Sequence, residues 1–191
     1  VQIETYQDGQ LQTTVIRTDS VAGDITYNIH LQRTHNDKDD EEGALHYTKQ
    51  VNTARKLGNL LFQESFDMEL FGDEIIIHTH HAYYTLYDAK KRVIETGICD
   101  YRPALEIYFK EYPQHKIQKT LHPEVMQLII SGKFNPARKT RLVNTYDAAG
   151  RKKTVKDHSG LKTFVYDNNG RLTETIITVP DAPTVLKHAY N

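Results

Sequence analysis

Apolar or β-branched residues alternate with polar ones through residues 11–17 and 25–31, and Ala22-Gly23-Asp24 separates the two runs. That pattern predicts a hairpin or meander over residues 1–34. A polar, acidic loop follows over 35–43. The period then changes: Val51, Ala54, Leu57 (or Gly58) and Leu61 recur at helical spacing, which predicts one amphipathic helix over 45–62. Strands are expected again over 65–70 and, beyond Gly72-Asp73, over 74–86. Pro103 stands at a first helical position and predicts a helix over 103–112. Pro123 early and Gly132 late predict another over 122–132. Further strands are expected over 163–166 and 172–179, and Pro180 with Pro183 predicts a loosely held tail over 180–191. The expected fold is α+β: one domain over 1–179, mostly antiparallel β-sheet built of hairpins, with two or three helices.

A near-repeat lies toward the C-terminus. Thr145-Tyr146-Asp147-Ala148-Ala149-Gly150-Arg151 is echoed twenty residues on by Val165-Tyr166-Asp167-Asn168-Asn169-Gly170-Arg171. Asp at the first turn position accepts a backbone hydrogen bond from two residues on, and Gly at the fourth supplies positive φ without steric cost. A third copy, Tyr87-Asp88-Ala89-Lys90-Lys91-Arg92, carries Lys91 where the others have glycine, so its turn is either built differently or strained. Tyr6-Gln7-Asp8-Gly9-Gln10-Leu11 is a looser relative. Tyr87 and Tyr146 are fifty-nine residues apart, close to three periods of twenty.

The Tyr-Asp-x-x-Gly-Arg pattern resembles the YD repeat of Rhs-type and teneurin-like proteins over residues 140–179, and partially over 83–97. In that family long arrays wind into a β-sheet shell around a toxin. The copies here are too few to close such a shell. The chain also resembles small bacterial exported proteins that carry a few such hairpins in one open sheet. The resemblance implies antiparallel structure; YD hairpins are scaffolding and bring no catalytic residues with them.

At 191 residues the chain has enough length for one domain with a core. Its 38% hydrophobic content, 12 Tyr and no Trp suit a sheet with one wet face, and no apolar run approaches the roughly 20 residues that span a bilayer. The first residue is Val, with no basic-then-apolar leader, which suggests a processed or trimmed chain. The expected location is the periplasm or a membrane-anchored exported state, with the cytoplasm as the alternative. One cysteine, Cys99, excludes an internal disulfide framework and reads as a small buried residue.

Charge is segregated. Residues 1–100 hold 17 acidic and 9 basic side chains, whereas 101–191 hold 8 and 15. Asp37, Asp39, Asp40, Glu41 and Glu42 cluster on one side. Arg151, Lys152 and Lys153 stand within a basic run that also contains Lys133, Arg138, Lys139, Arg141 and Lys156, with Asp147 as its lone acid. Such runs neutralise one another within the chain, are ordinary solvated faces, or steer a charged partner. Basic residues are not interleaved with the aromatic signatures of nucleic-acid modules, so no nucleic acid is expected.

Candidate chemistry is sparse. On a strand, residues two apart share a face, so His78 and His80 pair as metal ligands, with His30, His35 or Asp88 as a third. The chain has no nucleophile elbow, His-Glu-x-x-His, P-loop or dinucleotide glycine motif, and no cofactor is implied. Ser131-Gly132-Lys133 reads as a helix stop. The leading expectation is therefore a non-catalytic protein-binding module, in its most specific form an immunity protein that neutralises a toxin. The alternative is a carbohydrate- or envelope-binding module with Tyr83, Tyr84, Tyr87, Tyr146 and Tyr166 as a stacking platform, against cross-strand packing of the same tyrosines. A metal-dependent enzyme using His78 and His80 stands third.

Overall fold

The structure, a computed structural model, describes residues 2–7, 10–23, 25–34, 46–71, 74–117, 120–179 and 184–188. The chain is mostly antiparallel β-sheet, and each strand hydrogen-bonds to the strands before and after it in sequence. It divides into two compact units, Val1–Tyr83 with Cys99–Ala137, and Tyr84–Ile98 with Arg138–Asn191.

The first unit begins with β1 (Gln2–Gln7), β2 (Gln10–Ala22) and β3 (Ile25–Thr34), the meander expected from the alternation. The helix expected over 45–62 does not form. Its place is taken by β4 (His46–Leu57) and the start of β5 (Leu60–Phe71), joined by the two-residue turn Gly58-Asn59 with Leu57 opposite Leu60. Gly58 takes φ +58°, the left-handed conformation a tight hairpin needs. The side chains obey period two: Val51 and Thr53 lie opposite Phe66 and Glu64, all four buried. Leu57, part of the helical stripe, is instead 61% exposed.

The strand β6 (Glu74–Tyr87) follows, and then β7 (Val93–Asp100). Two helices form where proline and glycine predict them, α1 (Arg102–Glu111) and α2 (Pro123–Ile130), separated by a 3₁₀ turn at Pro113–His115. Gly132, at φ +72°, ends α2, and the Lys133 N–H returns to the Leu128 carbonyl, so Ser131-Gly132-Lys133 is a helix stop. The apolar face of α2 packs Val125, Met126, Ile129 and Ile130 against Val51, Phe66, Met68 and Ile77 of the sheet. Cys99 is partly buried against this core.

The second unit holds the remaining strands, β8 (Ala137–Tyr146), β9 (Lys152–Asp157), β10 (Gly160–Tyr166), β11 (Leu172–Thr178) and β12 (Thr184–Lys187). Within the segment expected to hang loosely, β12 pairs with β11, Val185 opposite Ile176.

Core position and exposure set the response to truncation. Ile129→Ala, at a site with no exposed surface, should cost about 2–5 kcal/mol in urea unfolding. Ile107→Ala on α1, 66% exposed, should stay within about 0.5 kcal/mol.

Candidate functional site

The three YD turns share one geometry. In each, the aspartate N–H donates to the arginine carbonyl four residues on: Asp88 to Arg92, Asp147 to Arg151, Asp167 to Arg171, all at 2.9 Å. The carboxylate returns the bond. Its Oδ1 accepts the same arginine's backbone N–H at 2.8–2.9 Å, and its Oδ2 accepts the guanidinium Nε at 2.7 Å. The fourth position accordingly needs positive φ: Gly150 at +85°, Gly170 at +81°, and Lys91 at +60°. The lysine turn is thus built like the others, with the Lys91 backbone in a conformation that costs an L-residue about 1–2 kcal/mol.

Consecutive turns stack. The Arg92 guanidinium lies 4.3 Å from the Tyr146 ring centroid and Arg151 lies 4.5 Å from that of Tyr166. Each tyrosine hydroxyl donates to the carbonyl just beyond the preceding arginine, Tyr146 to Val93 and Tyr166 to Lys152, both at 2.9 Å. Asn144 donates to the same Val93 carbonyl. A Cβ on Gly150 would meet the Arg92 guanidinium at 3.2 Å, so glycine leaves room for the neighbour's arginine. Tyr87 and Tyr146 therefore begin consecutive rungs of one ladder. Their fifty-nine-residue interval is one hairpin plus residues 99–137, which belong to the first unit, and not three hairpin periods.

These rungs define the chain's second unit as stacked antiparallel hairpins of the YD type. The RHS Repeat family model matches residues 146–184, which identifies that segment as RHS (YD) repeats. No curated protein matches the chain.

The ladder decides the fate of several candidate residues. Arg151 is committed to Asp147 and Tyr166, whereas Lys152 and Lys153 are exposed. Of the five tyrosines proposed as a stacking platform, Tyr84 is buried, its hydroxyl 2.6 Å from Glu95. Tyr146 and Tyr166 are half-buried between rungs, Tyr87 is half-buried, and Tyr83 is 50% exposed. Tyr84 thus has no open face for a sugar ring, while Tyr146 and Tyr166 each carry an arginine over the ring. Asp37, Asp39, Asp40, Glu41, Glu42 and His35 lie outside the described residues, as do the turn residues of the Tyr6 motif.

His78 and His80 do not share a face. Alternation along β6 slips by one residue, because His78 and Thr79 are both exposed while Ile77, Ala82 and Tyr84 are buried. Two consecutive residues on one side is the arrangement of a β-bulge. On the side away from the helices, His78 Nε2 lies 3.0 Å from Glu69 and the Thr79 hydroxyl donates to Asp67. His78 shares a cleft of about 310 Å³ there with His30, Asp67 and Glu69. His80 turns to the helix-covered side, 3.1 Å from buried Glu64 and stacked 4.5 Å on Phe66. Glu64 also accepts the Tyr101 hydroxyl at 2.5 Å. Burial first, and then the Glu64 carboxylate, push that phenol far above its usual range. This sealed group satisfies an interior carboxylate.

The basic run produces an open feature on the second unit. Lys139, Arg141 and Val143 alternate onto one face of β8, and the register sets Lys156 of β9 opposite Val143. With Asp157 and His158 they line a cleft of about 570 Å³. Its one acid, Asp157, is already held by the Ser159 N–H at 2.8 Å and hydroxyl at 2.5 Å. The Ser159 bonds keep that carboxyl below its usual range.

Two outcomes follow from the ladder. Replacing the strained lysine, Lys91→Gly should raise stability by about 0.5–1 kcal/mol in urea unfolding, less than the full strain because glycine loses more chain entropy. All three ladder carboxyls are held below the usual range. At Asp88 and Asp167 the arginine backbone N–H is the largest cause; at Asp147 partial desolvation pushes upward and the Arg151 bonds outweigh it. A depressed folded value makes the contribution fully present above the unfolded value of 3.8 and lost as pH falls through the folded ones. Melting temperature should therefore drop below about pH 4, with a shallower slope in Asp147→Asn/Asp167→Asn.

Proposed function

We propose that the protein is a non-catalytic protein-binding module of a bacterial exported protein, and that its specific form is an immunity protein neutralising a toxin. The observation that supports this reading is the cleft over β8 and β9, where Lys139, Arg141, Lys156 and His158 face one already-engaged carboxylate. A concentrated positive surface on a rigid sheet favours an acidic partner surface and raises the rate of encounter. Among the described residues no helix is long and apolar enough to cross a membrane. Export rests on the resemblance to exported YD-repeat proteins. The carbohydrate- or envelope-binding alternative has Tyr83 as its exposed ring.

Affinity capture from lysate and envelope fractions, eluted with salt, tests the reading. One stoichiometric acidic protein released by high salt is the expected result, and its identity names the target. Against that partner, Lys139→Glu/Arg141→Glu/Lys156→Glu should slow association about tenfold or more at low salt and flatten its salt dependence. Unchanged association would remove this cleft as the binding surface. Retention on a glycan array with no captured protein would transfer the function to sugars.

A further inference from the structure

We propose that His115, His122 and Glu124 form a zinc-binding site on the segment that joins α1 to α2. His115 ends the 3₁₀ turn, His122 is the N-cap of α2, and Glu124 lies in its first turn. One ligand atom from each lies within 4.8 Å of the others. The two imidazoles stack at 4.2 Å between centroids, 17° from parallel.

The decisive spacing is between His115 Nε2 and Glu124 Oε2, 3.5 Å. That is long for a direct hydrogen bond. It fits a bridging ion, since zinc bonds of about 2.0–2.1 Å at a tetrahedral angle set ligand atoms about 3.3 Å apart. Behind the ring, His115 Nδ1 lies 2.8 Å from the Tyr108 hydroxyl. With an ion on Nε2 the ring proton sits on Nδ1 and is donated to the Tyr108 hydroxyl, the outer-shell support that ligating histidines ordinarily have. The His115 side chain is 13% exposed, so its ring is packed in place. Two imidazoles and one carboxylate suit zinc, leaving a fourth position for water.

His122 sets the condition on loading. Its Nδ1 accepts the Glu124 backbone N–H at 3.2 Å, so in the metal-free protein its ring proton sits on Nε2. Binding must displace either that proton or the cap bond, and the ring rotates out of the stack to meet the ion.

The test is zinc titration of the full chain by calorimetry, with cobalt substitution to report a tetrahedral spectrum and thermal melts to report linkage. The expected result is one zinc per chain and a melting temperature that rises with zinc. Glu124→Gln removes an exposed ligand, and His122→Asn keeps a capping side chain while removing the imidazole. Each should bind zinc at least about tenfold more weakly while melting like the parent without metal. Tyr108→Phe, which acts only through His115, should weaken binding about tenfold with stoichiometry unchanged. His78→Ala is the control among the ten histidines and should leave affinity unaltered. No measurable zinc binding, or loss of binding in His78→Ala with full binding in Glu124→Gln and His122→Asn, overturns the assignment.

Discussion

The second unit depends on a reciprocal clamp, in which an aspartate and the arginine four residues on satisfy each other's backbone and side chain. The clamp closes the turn, and in doing so it holds the guanidinium still. A fixed guanidinium can lie over the next tyrosine ring, where its charge meets the negative face of the π system. The tyrosine hydroxyl then reaches the carbonyl beside that arginine. Local turn chemistry and stacking between neighbours are therefore one interaction. Lys91 shows the order of importance: with the clamp intact, the turn keeps its shape even when its fourth residue disfavours the required φ.

The ladder was legible because its chemistry is local. Tyr, Asp, Gly and Arg at set offsets specify a turn and its rung without reference to the rest of the chain. The two helices were legible for the same reason, with Pro103 and Pro123 at their starts and Gly132 past an end. The failures came where a distant neighbour decides. Val51, Ala54 and Leu57 fit a helical stripe, yet Gly58-Asn59 is also a two-residue hairpin turn, and pairing with β5 and cover from α2 favoured the strand. Gly58-Asn59 was the signal available.

Candidate chemistry followed the same division. His78 and His80 fit a shared face only while alternation holds, and the slip at His78–Thr79 sends His78 to Glu69, Thr79 to Asp67 and His80 to Glu64. Arg151 reads as one cation among many in a basic run, but its partners are set by the ladder. Lys139, Arg141 and Lys156 become one surface only through the register of β8 with β9. The pairing of His115 with His122 had a faint trace, His-x-Glu at 122–124, which acquires meaning once α2 presents it to the preceding turn.

The segment set between the first two rungs also bears on how the chain reaches this state. Most strand pairs here join neighbours across short turns, whose closure is fast. The contacts from Val93 to Asn144 and Tyr146 span 51 and 53 residues, because α1 and α2 intervene. Closing so long a loop must be met in entropy before any contact rewards it. The later hairpins are free to assemble on their own, but the rung joining Arg92 to Tyr146 waits for that closure. The slow step in folding the ladder is then expected at this joint, a delay set by the segment between the strands and not by the repeat itself.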